Sequence, residues 1–303
     1  MIYLFQFIVG AILLYYGAEF LIHSSKTISY IFGVPKIIIG ITIISIGTSL
    51  PELFVSIVAM FKNETDLVLG NVIGSNITNI GLVLGFSAML QSFNINFNNI
   101  KNDIIFMLIA TFIISIAIYL NVLNYFTAII LMIGFITYIY FMDTEDENSY
   151  ATESSELLKP ILKILISIGF LAFGSNLFIH GATGIATYLG VSNLVIGMTV
   201  VALGTSIPEL ATSIVSIKNQ EYDFVIGNII GSNIFNIILV LALSLFISDI
   251  DISLLNLKIE IVFLISLSIL LSFIIYRFNK LNKISGCILL LIYIMFISMS
   301  YGK

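Results

Sequence analysis

The string GTSLPEL at residues 47–53 recurs as GTSIPEL at residues 204–210, 157 positions later. Sliding the chain over itself by 157 positions aligns its halves without a gap, and residues 47–84 match residues 204–241 at 24 of 38 positions. A shared apolar composition produces chance Ile and Leu matches. It does not produce the shared GTS-x-PEL string or the GN-x-IGSNI-x-NI string that follows it. The pattern therefore indicates an internal duplication.

The composition indicates a membrane protein. Of the 303 residues, 59% are hydrophobic and 10% are charged, and the mean hydropathy is +1.13. A water-soluble surface needs more polar residues than this, so lipid must surround most of the chain. A spanning helix needs about 20 apolar residues. The sequence predicts ten such windows: 3–24, 37–61, 66–91, 102–120, 122–142, 157–181, 194–217, 223–247, 256–276 and 284–300.

An acidic run at residues 143–156 separates five predicted helices from five. We expect a first repeat at 1–142, a linker at 143–156 and a second repeat at 157–303. Because five is odd, the second repeat enters the membrane from the opposite side, which makes the fold an inverted repeat. With the N-terminus outside, nine basic residues fall on the cytoplasmic side of the membrane and three on the external side. Because basic residues concentrate in cytoplasmic loops, this count favours an external N-terminus and a cytoplasmic linker. Such folds place their substrate site where interrupted helices meet at the midplane.

The first repeated motif predicts a broken helix that carries oxygen ligands. Pro51 lacks an N–H group and frees the carbonyl of Gly47. Glu52 lies four residues after Thr48 and three after Ser49, which places carboxylate and hydroxyl groups near one helix face. A carboxylate at the bilayer centre is costly unless it is paired or hydrated. The same arrangement recurs at Gly204, Thr205, Ser206, Pro208 and Glu209.

The second repeated motif adds neutral oxygens. Ser75 and Asn79 are four residues apart, as are Ser232 and Asn236. Carboxylate, hydroxyl and amide oxygens form a hard ligand set that suits calcium or sodium. Taken alone, the serines, threonines and asparagines are equally compatible with helix packing. Two glutamates at symmetry-related positions are not easily explained that way.

At these motifs the sequence resembles the sodium/calcium exchangers of the calcium/cation antiporter superfamily. The resemblance implies an all-α membrane fold of ten helices as two inverted five-helix repeats, with motifs at about 40–84 and 197–241. It also implies a cluster of cation sites at the centre, with Glu52 and Glu209 shared between calcium and sodium. The other implied ligands are Thr48, Thr205, Ser49, Ser206, Ser75, Ser232, Asn79, Asn236 and the carbonyls of Ser45 and Ala202.

Two positions depart from the pattern of this family. Some relatives, including potassium-dependent exchangers, have an aspartate where this chain has Asn236, which argues against potassium dependence. Ser45 and Ala202 differ although they are related by the repeat. The effect of that asymmetry does not follow from the sequence.

We therefore expect an electrogenic sodium/calcium antiporter in the cell membrane, working by alternating access as a monomeric transport unit. A proton/calcium antiporter, a potassium-dependent exchanger and a passive cation channel stay open as alternatives. An enzyme is not expected, because no nucleophile or acidic partner accompanies the repeated His23 and His180. We expect no cofactor and no nucleic-acid partner. The single cysteine, Cys287, excludes a disulfide within the chain.

Overall fold

The computed structural model describes residues 1–142, 157–191, 204–251 and 257–301. The predicted linker at 143–156 lies outside these ranges. The described chain is helical apart from two short strands, β1 (Phe93–Asn94) and β2 (Lys280–Leu281). Its helices are α1 (Ile2–Phe32), α2 (Lys36–Thr48), α3 (Leu50–Phe61), α4 (Thr65–Leu90), α5 (Phe97–Tyr119), α6 (Tyr125–Tyr140), α7 (Leu158–Tyr188), α8 (Ile207–Lys218), α9 (Tyr222–Leu245), α10 (Lys258–Phe278) and α11 (Lys283–Tyr301).

The described helices confirm an all-helical membrane protein. Seven are long and apolar enough to cross a bilayer, and α2 with α3 forms an eighth, bent span. Two windows of the predicted ten contain shorter helices. The helix α6 has 16 residues. The helix α8 has 12, and residues 194–203 at the start of its predicted window lie outside the described ranges. The ten-span count therefore stays a prediction.

Backbone conformation repeats at positions 157 residues apart. Gly33 and Gly190 both have a positive φ, of 62° and 78°. Asn63 and Gln220 do so as well, at 59° and 60°. Residues other than glycine rarely adopt this conformation. Its recurrence supports the duplication read from the sequence.

Two compact units divide the chain, and each takes residues from both sequence halves. The first unit comprises residues 1–48 and 144–228, and the second comprises residues 49–143 and 229–303. The division into two repeats along the chain is a separate prediction, which this grouping does not test.

In the first unit, α1 packs along α7 and also contacts α8. Each of α1 and α7 has 31 residues, so each exceeds the roughly 20 that a bilayer core requires. Gly181 brings the two helices close together. A Cβ atom at that position would lie 2.4 Å from the backbone nitrogen of Phe7, a distance that backbone atoms cannot relieve without moving apart. Small residues allow this kind of close contact between membrane helices.

An ion-pair cluster connects three segments of the first unit. Glu221, between α8 and α9, accepts hydrogen bonds from Lys26 at 2.5 Å and from Lys36 at 2.7 Å. Its side chain is only 8% exposed. Burial alone would raise the pKa of Glu221, but the two lysine partners outweigh it and hold the pKa below its usual value.

In the second unit, α11 packs against the second half of α4, and α10 packs against α5. Gly81 of α4 lies directly against the ring-bearing side chain of Tyr293 of α11. The antiparallel strands β1 and β2 join the start of α5 to the end of α10, with Phe93 opposite Leu281. The apolar window of α4 is 72% buried and that of α9 is 94% buried, against 33% for α1. Most of each helix that carries the second motif is therefore buried.

Candidate functional site

The helix break predicted from the first motif is present. The span formed by α2 and α3 bends by 44° at Ser49, which has φ −88° and ψ 4°. In the second copy, Ser206 precedes α8 with φ −86° and ψ 7°. Pro51 and Pro208 occupy the first turn of the new helices, where a missing N–H group costs nothing. The proline thus starts a helix inside each motif.

The break determines the position of the two glutamates. Glu52 lies in the first turn of α3 and Glu209 in the first turn of α8, and both are 0% exposed. The first turn of a helix carries the partial positive charge of its unsatisfied N–H groups, which stabilises a carboxylate. Each motif therefore provides a buried acidic group in the first turn of a helix.

Asparagine side chains hold the backbone beside each glutamate. In the second unit, the Asn71 Nδ2 group donates to the backbone oxygen of Glu52 and to Ser56 Oγ, both at 2.9 Å. In the first unit, Asn228 Nδ2 donates to Thr212 Oγ1 at 3.0 Å. The Thr212 hydroxyl lies 2.9 Å from the backbone oxygen of Pro208. The asparagine of the shared GN string is therefore a supporting residue in both copies, a role that was not among those predicted from the sequence.

Two further contacts of the first unit involve the broken segments. Thr48 Oγ1 lies 3.1 Å from Asn228 Oδ1 and 3.3 Å from the backbone oxygen of Ser45. The carbonyl of Gly204, which Pro208 was predicted to free, accepts a hydrogen bond from Ser175 Oγ at 3.0 Å. The residue 157 positions before Ser175 is Ala18, which has no hydroxyl group. The hydrogen bond from Ser175 to this carbonyl therefore has no counterpart from Ala18 in the first copy.

The helices of the second motif contain π-helical segments that begin at the predicted asparagines. One segment is Asn79–Leu84 in α4, and the other is Asn236–Val240 in α9. A third, Gly40–Ile44, lies in α2. Single π-helical turns occur frequently at functional sites, because they reorient side chains and backbone carbonyls.

Asn79 and Asn236 are both 0% exposed. Asn79 Nδ2 donates to Asn233 Oδ1 at 3.2 Å, within the second unit. Among the described residues, Asn79 Oδ1 has no hydrogen-bond partner, and neither side-chain atom of Asn236 has one. A buried amide without partners is unusual in a protein and suggests a ligand that completes it.

The predicted site residues are distributed over both units. The second unit brings together α3, the first part of α4 and the π-helical segment of α9, which contact one another. In the first unit, the end of α2 contacts α8. Thr205 is partly exposed, and Ala202 lies outside the described residues. The remaining predicted residues are buried: Ser45, Thr48, Ser206 and Glu209 in the first unit, and Ser49, Glu52, Ser75, Asn79, Ser232 and Asn236 in the second.

The chemistry of these residues suits a hard cation. Within the described ranges, no group of three or more His, Cys, Asp or Glu side chains is placed to hold a metal ion. The candidate donors are instead one buried carboxylate in each unit, together with the hydroxyl and amide oxygens of the other predicted residues. Oxygen donors of this kind suit sodium or calcium, whereas soft transition metals prefer sulfur or imidazole.

Known proteins are similar to this chain in sequence and in fold. A family model described as sodium/calcium exchanger protein matches residues 2–142 and 159–302. The chain is 36% identical over 297 residues to an uncharacterized membrane protein of Methanocaldococcus jannaschii, with 96% of each chain covered. It is 28% identical over 341 residues to the sodium/calcium exchanger MaX1 of Methanosarcina acetivorans, again with 96% of each covered.

A solved structure of the sodium-calcium exchanger NCX_Mj is also similar to this chain. The comparison gives a TM-score of 0.84 at 32% sequence identity and covers 98% of each chain. The similarity therefore extends beyond the two motifs to the whole fold.

Proposed function

Because the chain belongs to the sodium/calcium exchanger protein family, we propose that it exchanges sodium for calcium by alternating access. Members of this family are transporters, so membership supports calcium and cation exchange rather than catalysis. The observation that carries the proposal is the pair of fully buried glutamates, each in the first turn of a proline-started helix. A buried carboxylate of this kind is a cation ligand whose cost of burial is offset when the ion binds.

The charge of the two glutamates determines how many sodium ions are exchanged for one calcium ion. Two carboxylates neutralise one calcium ion or about two sodium ions, and hydroxyl sites nearby accept a further sodium ion. Since both ion types use the same oxygens, they compete for the protein. Exchange of one calcium ion for more than two sodium ions moves net charge across the membrane. Transport is therefore electrogenic in this proposal.

The proposed ligands have different roles. Glu52 and Glu209 serve calcium and sodium alike. Asn79 and Asn236 provide amide oxygens, a role supported by the Oδ1 atoms that have no partner among the described residues. The remaining proposed contributors are the hydroxyl groups of Thr48, Thr205, Ser49, Ser206, Ser75 and Ser232 and the carbonyls of Ser45 and Ala202.

The proposed architecture is ten spans in two inverted five-helix repeats, with an external N-terminus and a cytoplasmic linker at 143–156. Inverted repeats suit alternating access, because an exchange of conformation between the repeats produces states of similar energy that open to opposite sides. The protein then works as a monomeric transport unit in the cell membrane, and its partners are the two transported ions and the bilayer.

Flux through purified protein in proteoliposomes tests this function. Vesicles loaded with sodium and diluted into sodium-free buffer with calcium-45 should accumulate calcium, and a sodium ionophore should abolish the uptake. Equal gradients of potassium or protons should not drive it. Clamping the membrane potential at different values should change the initial rate. Calcium uptake that is independent of the sodium gradient would refute the proposal. Uptake driven by a pH gradient alone would establish proton/calcium exchange instead.

A further inference from the structure

A surface cavity lies at the end of the second unit where α5 begins and α10 ends. Its volume is about 580 Å³, and it shares no residue with the proposed cation site. The strands β1 and β2 form one side. Asn279 connects the end of α10 to the start of α5 through two hydrogen bonds. Its backbone oxygen accepts a hydrogen bond from Ile95 N at 2.8 Å, and its Oδ1 accepts one from Phe97 N at 3.0 Å.

Amide side chains contribute much of the cavity lining. These are Asn94, Asn96, Asn98 and Asn279. The oxygens of two are occupied by backbone N–H groups: Asn96 Oδ1 accepts from Asn98 N at 3.1 Å, and Asn279 Oδ1 accepts from Phe97 N. With these oxygens engaged, the two side chains offer a ligand their Nδ2 donor groups. Such donors favour a ligand rich in acceptor oxygens.

Aromatic rings occupy another part of the lining. Phe97 and Tyr276 contact each other edge to face, with ring centroids 5.2 Å apart. Tyr276 is 65% exposed and Phe278 is 59% exposed. All three lie at the ends of helices long enough to span a bilayer. Aromatic residues at such ends typically lie at the level of the lipid headgroups.

Three basic residues neighbour the lining residues along the chain or in the strand pair, although the whole chain has a net charge of −5. The Arg277 guanidinium lies 5.6 Å from the ring centroid of Phe278. Lys280 is directly opposite Asn94 in the strand pair, and Lys101 follows Phe97 by four residues on α5.

Acidic residues are missing from the sequence on both sides of this cavity. Residues 91–102 and 261–303 contain no aspartate or glutamate. The first acid on α5, Asp103, is 6% exposed and accepts a hydrogen bond from Tyr138 at 2.6 Å. A cation is therefore a poor ligand for the cavity, and an anion is a good one.

We propose that this cavity binds the phosphate headgroup of an anionic phospholipid. The basic side chains and amide donors match phosphate oxygens, and the exposed rings match the level at which headgroups lie. Basic residues next to membrane helices attract anionic lipids. The proposed site is independent of ion exchange and is tested without it.

A single tryptophan provides the test, because the chain contains none. Phe278→Trp places a reporter in the cavity. The variant is reconstituted in phosphatidylcholine vesicles in which part of the lipid is brominated phosphatidylglycerol or, in parallel, brominated phosphatidylcholine. We expect brominated phosphatidylglycerol to quench the tryptophan fluorescence with an apparent affinity about three- to tenfold higher than that of brominated phosphatidylcholine. Adding Arg277→Gln and Lys280→Gln should bring the ratio of the two affinities close to one.

Phe126→Trp is the matched control. Phe126 is 74% exposed and lies beyond the far end of α5, where Asp249 accepts from the neighbouring backbone N–H group of Tyr125. We expect no preference for the anionic lipid there. An equal preference at both reporters, or a preference at Phe278→Trp that survives the two charge removals, would overturn the proposal. Loss of the preference in millimolar inorganic phosphate at constant ionic strength would identify a free-phosphate site and overturn it too.

Discussion

Replacing Asn236 by leucine tests whether this residue is an ion ligand or only a packing residue. Leucine has the same branching as asparagine but no polar atoms. Asn236 is 0% exposed, and neither its Oδ1 nor its Nδ2 has a partner among the described residues. A buried polar group without a partner costs about 1–3 kcal/mol. Asn236→Leu should therefore stabilise the ion-free protein by about 1–3 kcal/mol.

Asn233→Leu is the matched comparison, because it is the same change three residues away on α9. Asn233 Oδ1 accepts from Asn79 Nδ2 at 3.2 Å, so its loss leaves a buried donor without that acceptor. That change should destabilise the ion-free protein by about 1–3 kcal/mol. The two substitutions are thus expected to have opposite signs.

Thermal stability of the purified protein, followed by the size-exclusion peak that survives heating, provides the assay. It is run first with a calcium chelator and then with calcium. Calcium at 100 times its dissociation constant should stabilise the unsubstituted protein by about 2.7 kcal/mol. Asn236→Leu should show most of its gain in the chelator and a smaller calcium shift. A destabilised ion-free Asn236→Leu protein, or one with an undiminished calcium shift, would refute the reasoning.

Three further changes test the surrounding structure. Gly181→Ala should destabilise the protein by about 1–3 kcal/mol through contact with the backbone of α1, whereas Gly169→Ala, with nothing within 4 Å, should be neutral or slightly stabilising in the same thermal assay. Ser175→Ala should cost about 1–3 kcal/mol by removing the donor to the Gly204 carbonyl, and restored stability in Ser175→Thr would support that cause. Glu221 has a lowered pKa when folded, so its contribution to stability is complete above its unfolded pKa of about 4.5 and is lost as the pH falls through the folded value. The stability difference between the unsubstituted protein and Glu221→Gln should therefore shrink below about pH 4.5, and a difference that is constant from pH 7 to pH 3 would contradict this.

The broken helices were predictable because proline acts locally. Pro51 cannot continue a helix, so a new one had to begin close to it, and Glu52 follows it in the sequence. The apolar windows were predictable for the same kind of reason, since lipid allows few alternatives to helix. Their ends were less accurate. The first window ended at residue 24, but α1 continues to Phe32 because helical hydrogen bonding proceeds past the polar Ser24 and Ser25.

Contacts between distant residues were not predictable. The π-helical segments at Asn79 and Asn236 reflect a shift in backbone hydrogen bonding that no residue type specifies. The pairing of Asn79 with Asn233 depends on how α4 and α9 pack, not on spacing along either helix. Ser175 was likewise not predicted as the donor to Gly204, because the repeat places Ala18 at the related position.

Calcium-45 flux in three single variants tests the central claim most directly. The claim is that Glu52 and Glu209 bind the transported calcium ion. Glu52→Gln and Glu209→Gln should each abolish sodium-driven uptake, while Glu64→Gln, which removes the same charge from an exposed position before α4, should retain it. Sodium-driven uptake at the unsubstituted rate in either central variant would contradict the claim.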